Sequence, residues 1–73
     1  MEEKRMEIGQ QIRFYRKKQR LTQRQLAELL CLSPAAISKW ESGQSLPDLP
    51  TLARLSLLFE VSCDRLIFGK EPK

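Results

Sequence analysis

An all-α fold, with five short helices around one core, is what this sequence predicts, and three observations carry the prediction. Apolar residues recur at intervals of three and four from Ile8 to Phe59, the spacing of one helical face. Thr22, Ser33, Asp48 and Ser62 each stand just ahead of such a stretch, where a side-chain oxygen accepts hydrogen bonds from otherwise unpartnered amides. The sequence holds no strands, repeats or low-complexity segments. A chain of 73 residues makes one domain, small enough that its core is marginal unless the helices pack well or the chain dimerises.

The first helix is expected from about Arg5 to Gln19, on the stripe Ile8, Ile12 and Tyr15, with Gly9 a tolerated weakness. Met1 to Met6 is charged and frayed at its beginning. Phe14 is off the stripe and either wraps the helix edge or is partly exposed. Thr22 and Gln25 fit a capping box at the start of a second helix, Gln23 to Leu30, whose apolar face is Leu26, Ala27 and Leu30. Ser33 caps a third helix, Pro34 to Ser42; proline suits its first position, where the missing N–H is no loss. Ile37 and Trp40 share one face, and Gly43 ends the helix in a left-handed cap. Two helix starts about a dozen residues apart, joined by a short non-helical step, make Leu21 to Gly43 a helix-turn-helix pattern.

Gln44 to Asp48 is a loop marked by Pro47. Asp48 caps a fourth helix with the stripe Leu52, Leu55, Leu58 and Phe59, and Pro50 is acceptable there because it lies in the first turn. Ser62 caps a short fifth helix through about Phe68, with Val61, Leu66 and Ile67 as core or edge residues. Gly69 ends the structured part, and Lys70 to Lys73 form a loose tail.

The net charge of +4 is unevenly placed. Through Gln25 there are eight Lys or Arg against three Glu; the remainder has five against six. Arg13, Arg16, Lys17, Lys18, Arg20 and Arg24 come without an intervening acid. Taken alone such a run is a solvated helix face, but directly before a helix-turn-helix it is a site for phosphates, which release counterions when they meet it. No apolar run is long enough to span a bilayer, and the charged N-terminus lacks a secretion signal, so a cytoplasmic protein without a membrane partner is expected. Cys31 and Cys63 are no disulfide framework, and without histidine there is no plausible zinc set. With no glycine-rich phosphate loop and no nucleophile beside a base, an enzyme is not expected, nor a cofactor or a small-molecule ligand.

Thr22-Gln23, Leu26-Ala27, Ser33, Ile37-Ser38-Lys39-Trp40-Glu41 and Gly43, followed by Pro47, Val61-Ser62, Asp64 and Leu66, resemble the phage-repressor-type (Xre-like, Cro-like) helix-turn-helix DNA-binding domain. The resemblance runs from about Ile8 to Gly69. It implies a compact five-helix, lambda-repressor-like fold and sequence-specific binding of double-stranded DNA by a transcriptional regulator, a repressor. The third helix would then enter the major groove with Pro34, Ala35, Ala36, Ser38 and Lys39 toward base edges. Lys39 suits guanine O6 or N7, Ser38 several edges, and either alanine a thymine methyl. Gln23, at the start of the second helix, takes a phosphate role in the family, where its amide and the helix N-terminus could both hold the anion. Ser33, Arg13, Lys17, Arg24, Ser42 and Gln44 are the other expected phosphate contacts.

Arg16 falls four after Ile12, beside the buried stripe, an odd place for a guanidinium without a partner. In the family pattern an arginine here pairs with the acid closing the recognition helix, which implies an Arg16 to Glu41 ion pair; a direct phosphate contact by Arg16 is the competing reading, and the two are compatible. The sequence departs from the family twice. Cys31 stands where glycine is usual, so the turn is either strained by about 1 kcal/mol or different in geometry. The loop after the third helix offers Gln44 and Ser45 in place of lysine or arginine, leaving neutral side chains and main-chain amides for the DNA backbone.

A domain of this size covers one half-site, so a homodimer on a palindrome is expected, with Phe68, Ile67 and Leu58 as a self-complementary patch if they are not core. The rival reading is a protein-interaction module, antitoxin-like or a repressor antagonist, that turns the Ala35, Ala36, Lys39 face to a protein.

Overall fold

The computed structural model describes residues 7 to 69, and for Glu7 the backbone alone; the expected fraying of Met1 to Met6 and the tail from Lys70 lie outside the described residues. Five helices follow in order: α1 Glu7–Lys18, α2 Gln23–Leu30, α3 Pro34–Ser42, α4 Leu49–Phe59 and α5 Cys63–Phe68. Among the described residues there is no strand, and no helix is long and apolar enough to cross a membrane.

Each expected cap is made. Thr22 Oγ1 accepts from the Gln25 amide while the Gln25 side chain accepts from the Thr22 amide, closing the capping box at 3.0 and 2.8 Å. Ser33, Asp48 and Ser62 likewise accept from Ala36, Thr51 and Arg65. These bonds fix where α2 to α5 begin.

The first four helices end in one way, each with a left-handed residue and two backward amide bonds. After α1, Arg20 donates to Lys17 and Leu21 to Arg16; after α2, Cys31 donates to Glu28 and Leu32 to Ala27. Gly43 and Glu60 occupy the equivalent place after α3 and α4. Only one of the four is glycine, and Arg20, Cys31 and Glu60 all sit near φ 60°. The Cys31 turn is therefore the left-handed one, with its Cβ penalty. Arg20 and Glu60 repeat that strain at positions no sequence signal marks.

Ile12, Tyr15, Leu26, Ala27, Leu30, Ile37, Trp40, Leu52, Leu55, Phe59 and Leu66 form the core. α1 runs through the middle, packing on α3, α4 and α5, while α2 packs on α3. Tyr15 stacks on Phe59 with ring centroids 5.7 Å apart, joining α1 to α4. Phe14 is exposed at the helix edge.

Gly9 is a requirement of the packing and no mere weakness. It is buried against α3, and a Cβ there would lie 1.9 Å from the Trp40 carbonyl oxygen. Helical periodicity cannot reveal this, because the constraint comes from the backbone of another helix. Of Phe68, Ile67 and Leu58, the last two are half-buried against the core and Phe68 is exposed.

Candidate nucleic-acid interface

Three helices converge on one polar groove. Arg13 and Arg16 from α1, Gln23 from the start of α2, and Ser38, Glu41 and Ser42 from α3 line it. What holds them is the Arg16 to Glu41 pair, in which Nε donates to Oε2 at 2.6 Å and Nη2 to Oε1 at 3.0 Å. This is a bidentate fork, the strongest geometry available to such a pair. Arg16 Nη1 also donates to the Leu21 carbonyl at 2.8 Å, tying down the α1 to α2 turn. Both side chains are about nine-tenths buried or more. Arg16 is thus a fastener between α1 and α3, and its charge is neutralised within the fold.

Gln23 joins this network by donating from Nε2 to Glu41 Oε1 at 3.0 Å. Glu41 therefore accepts from two helices, and the Gln23 side-chain amide is oriented by the carboxylate. Nothing in the sequence at Gln23 pointed to the carboxylate 18 positions later, since no local periodicity links them.

Along α3, Pro34, Ala35, Ser38, Lys39 and Ser42 are exposed, opposite the buried Ile37, Trp40 and Glu41. Ala36 is half-buried and packs on the core, so Ala35 alone of the two alanines stands clear for a methyl contact. Ala36 is thus turned partly into the fold. Ser33, besides capping, stays exposed.

The Lys39 carbonyl anchors the turn that follows. It accepts from Ser42 Oγ at 3.1 Å, from the Gln44 amide at 2.9 Å and from the Ser45 amide at 3.3 Å. Those two amides are consequently engaged in ending α3, contrary to the expectation that main-chain amides there grip a phosphate. Their side chains remain exposed.

Arg13, Lys17 and Arg24 are exposed as expected, together with Lys18 and Arg20. Arg13 reaches the groove itself, whereas Lys17 and Arg24 are not among the residues that line it. Lys18 lies over the Phe14 ring at 6.0 Å. The arrangement is an exposed helical face with one long cation, flanked by exposed basic side chains and small hydroxyls. A family model described as helix-turn-helix matches residues 12–66.

The chain belongs to the helix-turn-helix family. Among its relatives, the HTH-type transcriptional activator BcrR of Enterococcus faecalis is 44% identical over 66 residues, covering 90% of this chain and 32% of that protein. The HTH-type transcriptional regulator DicA of Escherichia coli (strain K12) is 41% identical over 73 residues, covering all of this chain and 54% of that protein. The chain therefore spans about a third and about half of the length of these relatives.

Of the solved structures, the P22 c2 repressor in complex with a synthetic operator superposes with a TM-score of 0.81 at 35% identity, covering 86% of this chain and 96% of that one. The LexA repressor of Eubacterium rectale gives 0.82 at 21% identity, covering 90% and 70%, a likeness of fold. The helix-turn-helix of this family member comprises α2 and α3.

Proposed function

We propose that this chain reads the sequence of double-stranded DNA as a transcriptional regulator, a repressor, with α3 in the major groove. The observation that carries the reading is the exposed face Pro34, Ala35, Ser38 and Lys39, held by the Arg16, Gln23 and Glu41 network beside a band of exposed cations. Small side chains around one lysine let the helix approach base edges closely. Lys39 donates to guanine O6 or N7, Ser38 to either edge of a neighbouring pair, and Ala35 meets a thymine methyl.

Gln23, Ser33, Arg13, Lys17, Arg24, Ser42 and Gln44 hold phosphates on the two sides and fix the register. The likeness to a repressor solved on its operator supports binding of double-stranded DNA. Two copies bind a palindrome as a homodimer, because one α3 spans a single half-site; the half-sites then lie about 34 Å apart.

The test separates base reading from charge. Lys39→Ala should lower discrimination between preferred and scrambled duplexes by about 1 to 3 kcal/mol, whereas Arg13→Ala or Lys17→Ala should weaken every duplex alike and reduce the salt slope by about one. Equal loss on all duplexes from Lys39→Ala removes its base-reading role. Absence of any salt-dependent interaction with duplex replaces the whole reading with that of a protein-interaction module.

A further inference from the structure

Gln23 makes a bond that its neighbours do not require. The Arg16 guanidinium and the Glu41 carboxylate already satisfy each other through bonds of 2.6 and 3.0 Å, and Arg16 Nη1 is taken by the Leu21 carbonyl. Glu41 Oε1 nevertheless accepts a further hydrogen bond, from Gln23 Nε2 at 3.0 Å. Holding a glutamine in one rotamer costs side-chain entropy, and one hydrogen bond at a half-buried position in the first turn of a helix returns little net stability.

What the bond does follows from the amide itself. A side-chain amide nitrogen carries two hydrogens. One is held by the carboxylate; the other has no partner among the described residues, and Gln23 lines the same groove as the exposed Arg13, Ser38 and Ser42. Glu41 is 4% exposed at its side chain and lies against the guanidinium, so its charge is compensated and an anion can approach the amide it holds. Glu41 belongs to α3, and the amide is therefore fixed relative to the helix that carries Lys39.

We infer that Glu41 is a positioning residue for DNA binding, acting through Gln23: it holds the amide in advance, so that the remaining N–H meets a backbone phosphate at a set distance from α3. The inference rests on the phosphate role proposed above for Gln23. Fixing a long side chain before association removes an ordering step, which is worth about two- to tenfold in affinity.

Two measurements test it. In nitrogen spin relaxation of the unaltered chain without DNA, the Gln23 side-chain amide should approach the rigid-backbone order parameter of about 0.85, whereas that of the exposed Gln44 should fall below about 0.6. A Gln23 amide as mobile as that of Gln44 overturns the inference, whatever the chain binds. For the second, the effect of Gln23→Ala on affinity for the preferred duplex is measured in the unaltered chain and again in Arg16→Met/Glu41→Leu, which lacks one charge of each sign and keeps the net charge of +4. Circular dichroism first shows each variant to be helical. The loss should be about three- to tenfold smaller where the carboxylate is gone, because there is no longer a held amide to remove. A pair that only fastens the helices predicts equal losses, and equal losses overturn the inference while leaving the DNA reading intact. An unaltered chain that binds no duplex overturns both.

Discussion

Replacing Gly9 with alanine sets two effects against each other, and their sizes decide the outcome. In an exposed helix interior the change is favourable by about 1 kcal/mol, because alanine loses less backbone freedom on folding. Here the new Cβ would lie 1.9 Å from the Trp40 carbonyl oxygen, 2.9 Å from its carbon and 3.2 Å from Glu41 Cα, all backbone atoms that no rotamer can move aside. α1 and α3 must separate by more than an ångström. That separation falls beside the Arg16 to Glu41 fork, whose 2.6 and 3.0 Å bonds would lengthen past useful hydrogen-bond range unless the side chains follow. Overpacking of this kind costs about 1 to 3 kcal/mol, and weakening a buried charge pair adds to it, so a net loss of about 2 kcal/mol is expected. For a domain of this size that lowers the melting temperature by about 8 to 16 °C. Thermal unfolding followed by circular dichroism, with urea titration for ΔG, reads the effect directly. A Gly9→Ala protein as stable as the parent, or more so, would refute the close approach of α1 to α3.

Cys31→Gly should stabilise by about 1 kcal/mol, seen as a raised melting temperature, because the left-handed backbone at φ 59° then carries no Cβ penalty; an unchanged or lower value would argue against that geometry. Arg16→Met should cost about 3 to 5 kcal/mol by stranding buried Glu41, and adding Glu41→Leu should recover much of it in urea titration; equal stability of the single variant and the parent would deny that the pair is buried. Asp48 is held below its ordinary carboxylate value by the hydrogen bonds from Thr51, chiefly the side-chain one. Its contribution to stability is present above the ordinary carboxylate range near pH 4 and lost as pH falls through the lower folded value; Asp48→Asn should remove that part of the acid dependence, and an identical acid profile in the two proteins would dismiss it.

What the sequence disclosed is what short-range rules govern. Thr22, Ser33, Asp48 and Ser62 announce their helices because a cap needs only its own next three residues, and the stripes through Ile12, Leu26, Ile37 and Leu55 follow from helical geometry. The Arg16 to Glu41 pair came from family resemblance, since nothing local joins positions 25 apart. What stayed hidden is set by neighbours distant in sequence. Gly9 is dictated by the Trp40 backbone, Gln23 by Glu41, and the rotation of Ala36 by the core. Arg20 and Glu60 adopt left-handed caps with no glycine to mark them, because flanking helices impose the turn on whatever residue is there. Leu29 and Leu57 read as ordinary helix residues until two helices put them on one surface.

The central claim is that α3 reads base sequence, and selection of bound duplexes from a randomised pool at near-physiological salt tests it most directly. The account predicts enrichment of a palindrome with half-site centres about one helical turn, 34 Å, apart, and loss of preference at one base pair of each half-site with Lys39→Ala. A folded protein that enriches no sequence, or an enriched site that Lys39→Ala leaves unchanged at every position, would contradict it.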